Sequence, residues 1–449
     1  MKRKFYTTLC LVFAFSLFSM AQEQITVESG DNLINIIAEA EDGATITIKS
    51  GKYIANFDEG GNANIVIESK SLTIIGESKY DKPVIYIRSI DVIGEVGNLT
   101  FENLEISGLP VDHDTMEEDP MAEGEEMVGS YFVNFTSDLV SIENLTIRNC
   151  EIRNLFRAVI RGDRAAHDVG TILVDNSIIH DIRNGSNYGV FRLQSNLTLN
   201  TFKLTNSTLY NVQVGIIQSE NTPADFPKTV LVENCTFWNI GGATNSRYQF
   251  DFKSSTALNF EMRHNILGKT NEIGLEDDFD ILGWRFNYDG ATSTRMVANN
   301  IAPDFLVVPN SEVYQGSFDD INWSQSQFNV TLDPEFADPV NGDFTLNEDS
   351  DLMWASLEGE PIGDPRWDPL RTSARLIMTN KMAIYPNPAS GNVNIQLERP
   401  GAITIYNALG SVVKTQKLNE KSNHVDISEL RPGMYFVKND MQTSKLIVR

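Results

Sequence analysis

Apolar residues in this chain come in short groups divided by polar positions, and the groups return at a nearly fixed interval. Four segments show it: NCEIRNL from Asn149, NSIIHDI from Asn176, NSTLYNV from Asn206 and NCTFWNI from Asn234. Their apolar positions, Ile152 and Leu155, Ile179 and Ile182, Leu209 and Val212, Phe237 and Ile240, suit short strands and are too closely bounded for helices. The anchoring asparagines are 27, 30 and 28 residues apart, and a degenerate fifth, Asn265 in RHNILG, follows after 31 more. A period of that size belongs to solenoids. The fold class predicted is all-β, a right-handed parallel β-helix in which each coil pairs with the next about 4.8 Å along the axis and equivalent residues stack. The repeated Asn is expected to point inward at a coil bend, bonding the backbone of neighbouring coils and satisfying buried polar groups.

The flanking sequence extends this reading. GDNLINIIAEAEDGATITIKSGKYI predicts a short amphipathic helix over 32–40 followed by the first strands, the helix lying as a lid over the apolar bore and the first sheet edge. Further coils follow in NIVIESKSLTIIGES, PVIYIRSIDVIGEVGNLTFENLEISG and LVSIENLTIRNC. The rhythm stops in LDPEFADPVNGDFTLNEDSDL and GDPRW, where Pro and Gly accumulate. Residues 22–368 form one β-helix domain on this reading, and 369–382 a linker. Over 383–449, alternating strands between Gly and Pro turns predict a small antiparallel β-sandwich. At the other end, Lys2, Arg3 and Lys4 precede an apolar run that closes on Ser19 and Ala21, the pattern of a signal peptide cleaved after Ala21.

Composition narrows the partners. The 449 residues carry a formal net charge of −25, which argues against nucleic acid and anionic membranes, since both would repel the chain. Much of that charge sits in the acidic insertion at 112–127. Cys150 and Cys235 occupy one ladder position with Ser177 and Ser207 between them, which places them three coils or about 14 Å apart. That is beyond the reach of a disulfide, so both are expected to be free buried thiols.

A second strand follows each repeat: AVIRGD, GVFRLQS, GIIQSE and YQFDFKSS. With Ile160, Phe191, Ile217 and Phe252 inward, alternation puts Arg161, Arg192, Gln218 and Asp251 in one outward file and Asp163, Gln194, Glu220 and Lys253 in the next. Arginine forks bind carboxylates bidentately and a lysine of lowered pKa serves as a base, so this face suits an acidic polysaccharide. Mutual pairing of solvated ladder residues explains the same pattern. His180 is expected to be an outward surface residue on the ladder of Arg153, Tyr210 and Trp238. The two aromatic residues of that ladder either stack on sugar rings or cover a turn.

Two resemblances add to this. YPNPASGNV, IYNALG, LRPGMYFV and a basic last strand resemble the C-terminal sorting domain of the Bacteroidetes type IX secretion system. That resemblance implies export through the periplasm, engagement of the type IX machinery through residues 383–449, and a secreted or cell-surface protein. The Asn-Cys/Ser signature, FDFKSS followed by MRHNILG, and the DPEFADPVNGDFTL to GDPRW ending resemble chondroitinase-B-like and alginate-lyase-like β-helix proteins. In those lyases a Lys followed by Ser abstracts the proton beside a uronate carboxylate, which calcium neutralises. Lys253, followed by Ser254, matches. The positions expected to hold calcium ligands are Tyr248 and Ser246, so the ligand set is not matched and no metal residue is assigned. The candidate catalytic residues are Lys253 and Arg192, and the candidate substrate-binding residues are Arg161, Gln218, Tyr210 and Trp238. A polysaccharide lyase acting by β-elimination, a noncatalytic glycan-binding protein and a structural surface protein all fit this scaffold.

Overall fold

The structure, a computed structural model, describes residues 22–55, 64–109, 118, 129–183, 189–194, 197–220, 228–241, 247–254, 258–270, 281–288, 292–305, 329–372, 383–385, 387–396, 401–407, 412–418, 422–438 and 443–449. The segment expected to be a signal peptide and most of the acidic insertion lie outside these residues. The chain divides into two compact units, Met1–Pro369 and Leu370–Arg449.

The first unit is a parallel β-helix with three faces. Face 1 runs from Ala44–Ile48 through Asp168–Asp175, Thr198–Thr205 and Lys228–Glu233 to Thr292–Val297. Face 2 holds the short strands Glu151–Arg153, Ile178–Ile182, Thr208–Val212 and Thr236–Ile240, with shorter neighbours on either side. Face 3 stacks Ala158–Gly162, Gly189–Leu193, Gly215–Glu220, Arg247–Ser254 and Ile281–Tyr288. Two long strands, Ile90–Glu102 and Tyr131–Arg148, cross from face 3 onto face 1 without interruption. Ile, Val, Leu and Phe from all three faces fill one continuous bore, so each coil is stabilised by apolar burial against its two neighbours.

Helix Leu33–Glu39 closes the first end, with Leu33 and Ile37 buried. Asn32 accepts from the Asn35 amide at 3.0 Å to cap its start. Lys70 Nζ donates to the Ile37, Ala38 and Ala40 carbonyls at 2.8, 2.8 and 2.9 Å, satisfying the acceptors at its other end.

The repeated asparagines do stack in line, but their role is not the inward one expected. Asn149, Asn176, Asn206 and Asn234 all take left-handed backbone conformations, φ 48, 49, 50 and 53°. They sit at the bend from face 1 to face 2, with Asn176 exposed and the others half-buried. Their amides run along the outside: Asn176 Nδ2 donates to Asn149 Oδ1 at 3.2 Å and Asn234 Nδ2 to Asn206 Oδ1 at 3.2 Å. The second polar position of the motif explains the rest of its length. Asn154, Asp181, Asn211 and Asn239 are also left-handed, φ 56, 53, 51 and 58°. Each short strand of face 2 thus has one left-handed residue before it and a second just after it or at its last residue but one, a conformation that Asn and Asp tolerate better than other non-glycine residues.

The inward polar work falls to the next position. Ser177 Oγ accepts from the Cys150 amide at 3.1 Å, Ser207 Oγ from the Ser177 amide at 3.0 Å, and Asn265 Oδ1 from the Cys235 amide at 2.8 Å. Asn299 and Asn329 continue the spine, accepting from the Asn265 and Asn299 amides at 3.0 and 2.9 Å. Asn265 therefore matches Cys235 in its coil, and the residue in the left-handed bend is His264, φ 57°. Cys150 and Cys235 are free and buried in this spine, and burial pushes the Cys150 thiol up to about 12.

The second unit packs two antiparallel sheets. One orders Ala383–Tyr385, Asn392–Gln396 and Ser422–Asp426; the other orders Val412–Leu418, Gly401–Asn407, Gly433–Lys438 and Thr443–Val448. Ile395, Ile403, Ile405, Val425, Val437 and Leu446 are buried between them.

Candidate functional site

Face 3 places charged side chains in adjacent files. The register pairs Arg161 with Arg192, Arg192 with Gln218, and Gln218 with Asp251. It extends backward from Arg161 to Asn134 and from Asn134 to Asp91. The neighbouring file pairs Glu220 with Lys253 and, one residue past Gly162 and Leu193, takes in Asp163 and Gln194. Lys253 thus stands on the same face as the arginines by backbone register; its side chain lies outside the described part of the structure. One inward assignment shifts: Ile160, Phe191 and Ile217 continue into Phe250, not Phe252. Phe252 is also buried, two residues further along.

Asp163 organises the two arginines. Arg161 Nε donates to its Oδ1 at 2.7 Å and Arg192 Nε to its Oδ2 at 2.5 Å. Burial alone would raise the Asp163 carboxyl, but the Arg161 hydrogen bond and both guanidinium charges outweigh it and hold the group below its ordinary range. Arg192 also donates Nη1 to Gln218 Oε1 at 3.3 Å. Arg161 lies over the Tyr131 ring, 4.8 Å from its centre, a cation–π contact that fixes the plane of the guanidinium. Its Nε is committed to Asp163, and among the described residues no hydrogen-bond acceptor meets its Nη groups. An outside carboxylate or sulfate is the acceptor such a fork suits.

Tyr210 and Trp238 belong elsewhere. They stand on face 2 in the file of Arg153 and His180, and residues 329–368 cross over that face. Tyr210 packs on Phe344 with ring centres 5.2 Å apart, and Trp238 on Phe336 at 5.6 Å. Thr208 Oγ1 donates to Asp364 Oδ2 at 2.8 Å and accepts from Trp367 Nε1 at 2.7 Å. Gly363 allows the close approach: a Cβ there would stand 2.8 Å from both Ile266 Cδ1 and Thr236 Oγ1. The two aromatic residues are therefore packing partners of this strap, half-buried on a different face from Arg161 and Arg192. His180 is likewise covered. It is 8% exposed, stacked on Tyr210 at 4.7 Å, and bonded to Asp181 at 2.7 Å and Glu151 at 3.2 Å. Burial lowers its pKa, but the two carboxylates prevail and the net shift is upward.

The sequence reading missed two buried groups near face 3. Lys228 is 0% exposed. Its Nζ donates to Ser219 Oγ, and burial brings it down to about 7. His167, also 0% exposed, accepts at Nδ1 from the Val140 amide at 3.1 Å, while its Nε2 has no partner among the described residues. Burial lowers it to about 4. Both residues precede apolar strand residues, and only the tertiary fold shows that they turn inward. Glu118, from the acidic insertion, pairs with Arg153 on face 2.

The calcium implied by the lyase resemblance finds no fit. Among the described residues no three His, Cys, Asp or Glu side chains gather to hold a metal; in register with Lys253 the preceding coil carries Glu220 alone.

Comparisons with known proteins bear on the two units separately. Residues 383–449 match the family described as the secretion system C-terminal sorting domain. The second unit is a sorting tail. It supports secretion or cell-surface localisation through the type IX system. Residues 51–212 match a family described as a domain of unknown function, DUF4957. No curated protein matches the chain. Among solved structures, the PL6 family alginate lyase AlyGC, in a mutant form, is similar with 17% identity and a TM-score of 0.39. The match covers 70% of this chain and 40% of that one. No helix among the described residues is long and apolar enough to cross a membrane.

Proposed function

We propose that this secreted or cell-surface β-helix protein engages an acidic, uronate-containing polysaccharide along face 3. Arg161, Arg192 and Gln218 contact the chain, and Lys253 serves as the base that removes the proton beside a uronate carboxylate in a β-elimination. The observation that carries the reading is the Asp163 clamp. It aligns two guanidiniums from adjacent coils and leaves the Nη groups of Arg161 without an acceptor among the described residues. Two arginines facing one carboxylate oppose the charge that develops on the uronate, the task a cation performs in such reactions. The test is incubation with alginate, pectate and chondroitin while following near-ultraviolet absorbance from unsaturated uronate ends. Signal lost in Lys253→Ala and Arg192→Ala supports elimination, and no signal from any polymer removes it.

A second reading, noncatalytic glycan binding on the same face, is favoured by the cost side of the same contact. Asp163 already neutralises part of the charge on both arginines, which suits holding an anion better than stabilising one that forms. Retention on polysaccharide gels without product release distinguishes it.

A further inference from the structure

The charge along the arginine file is not uniform. From the first coils onward the positions of this file read Asp91, Asn134, Arg161, Arg192, Gln218 and Asp251, of which Arg161 and Asp251 are buried to 7% and 4% exposure. At the far end Asp251 is in register with Arg285, so a cation position follows the carboxylate there. At the near end the situation differs. Asp91 accepts from Asn134 Nδ2 at 2.8 Å, Ser89 Oγ at 2.9 Å and Asn64 Nδ2 at 2.9 Å. All three donors are neutral, and among the described residues no cation is paired with this carboxylate. It stands two coils, about 10 Å, from Arg161. The exposed Val66 precedes it in the file.

We infer that Asp91 is a specificity residue of this face: the bound glycan carries its acidic group at Arg161 and Arg192, and the sugar lying toward Asp91 is uncharged. The inference rests on the glycan reading above and narrows its substrate class. An uncharged sugar can donate hydroxyls to Asp91 and accept from Asn134, whereas a uronate in that place sets two carboxylates against each other with no cation between them. The protein therefore selects glycans whose acidic residues are isolated among neutral ones and disfavours homopolymers of uronate. Its overall charge of −25 acts in the same direction.

The experiment is affinity electrophoresis of the protein through gels containing glucuronoxylan, whose neutral backbone carries single uronate branches, or alginate, in which every residue is acidic, with neutral arabinoxylan as reference. Glucuronoxylan is expected to bind more tightly than alginate, and Arg161→Gln to abolish the retention. Asp91→Asn, which keeps an acceptor for the same donors, is expected to tighten alginate binding roughly 2- to 10-fold, the size of one charge interaction at this separation. Val66→Lys, at an exposed position, should shift the preference the same way and covers the case in which Asp91→Asn does not fold. Alginate bound as tightly as glucuronoxylan by the unaltered protein, or an unchanged preference in both variants, overturns the inference while leaving the glycan reading standing. Retention by neither acidic polymer overturns the glycan reading and this inference with it.

Discussion

At the scale of single residues, the bends and the buried titratable groups govern behaviour. Asn206 holds a left-handed conformation that costs an ordinary L-residue about 1–2 kcal/mol. Asn206→Ala is expected to lower unfolding free energy by about that amount and Asn206→Gly by less, although both lose the same amide. Urea titration of the two variants separates backbone from side chain. The histidines titrate with opposite signs. His167 has its folded pKa depressed to about 4, so its contribution is intact above the unfolded value and is lost as pH falls from about 6.5 toward 4. His180 is raised, so its contribution is present below about 6.5 and is lost as pH rises through its folded pKa. Thermal midpoints of His167→Gln and His180→Gln between pH 4 and 8 should therefore change slope in opposite directions.

At the scale of the element, one bore position and one strap carry most of the risk. Lys228 falls from 10.5 to about 7 on burial. Below pH 7 it is charged in both states and the burial penalty is complete. Between pH 7 and about 10 the unfolded chain binds the extra proton, so stability rises with pH. Lys228→Met should stabilise the protein at neutral pH and flatten that rise, measured by denaturant midpoints at pH 7 and 9.5. The strap over face 2 depends on its aromatic contacts, Phe344 touching Tyr210, Phe336 and Trp367 at 5.2, 5.2 and 5.6 Å. Phe344→Ala is expected to cost about 3–5 kcal/mol and to expose Tyr210 and Trp238 to fluorescence quenchers. Polysaccharide retention by face 3 should persist in that variant.

At the scale of the molecule, the coil period was legible because it is written twice in each repeat, once in the apolar positions and once in the two Asn or Asp bends. The files on face 3 were legible for the same reason: a regular strand register carries Arg161 onto Arg192 and Gln218. What could not be read was whether a polar residue faces in or out at a bend, since a left-handed residue breaks the alternation on which the inward assignment of Asn depends. Phe336 and Phe344, which pack on Trp238 and Tyr210, come from more than 90 positions later in the chain. No local pattern reports such a contact. Asp163 was visible as a ladder residue, but its hold on two guanidiniums is a property of side-chain reach and needed coordinates.

The relay of inward Ser, Cys and Asn side chains bears on how such a molecule can change its length. Each turn hands a hydrogen bond to the following one through an equivalent atom, from the Cys150 amide to Ser177 and from the Ser177 amide to Ser207. Excising residues 177–206 would join Asn176 to Ser207, and the Cys150 amide would find a serine hydroxyl where it found one before. Rungs can therefore be removed or duplicated whole, whereas a cut that leaves a fraction of a rung strands a buried donor. Lineages carrying this architecture are expected to differ by entire rungs, and each such step would lengthen or shorten the polar face by one residue per file.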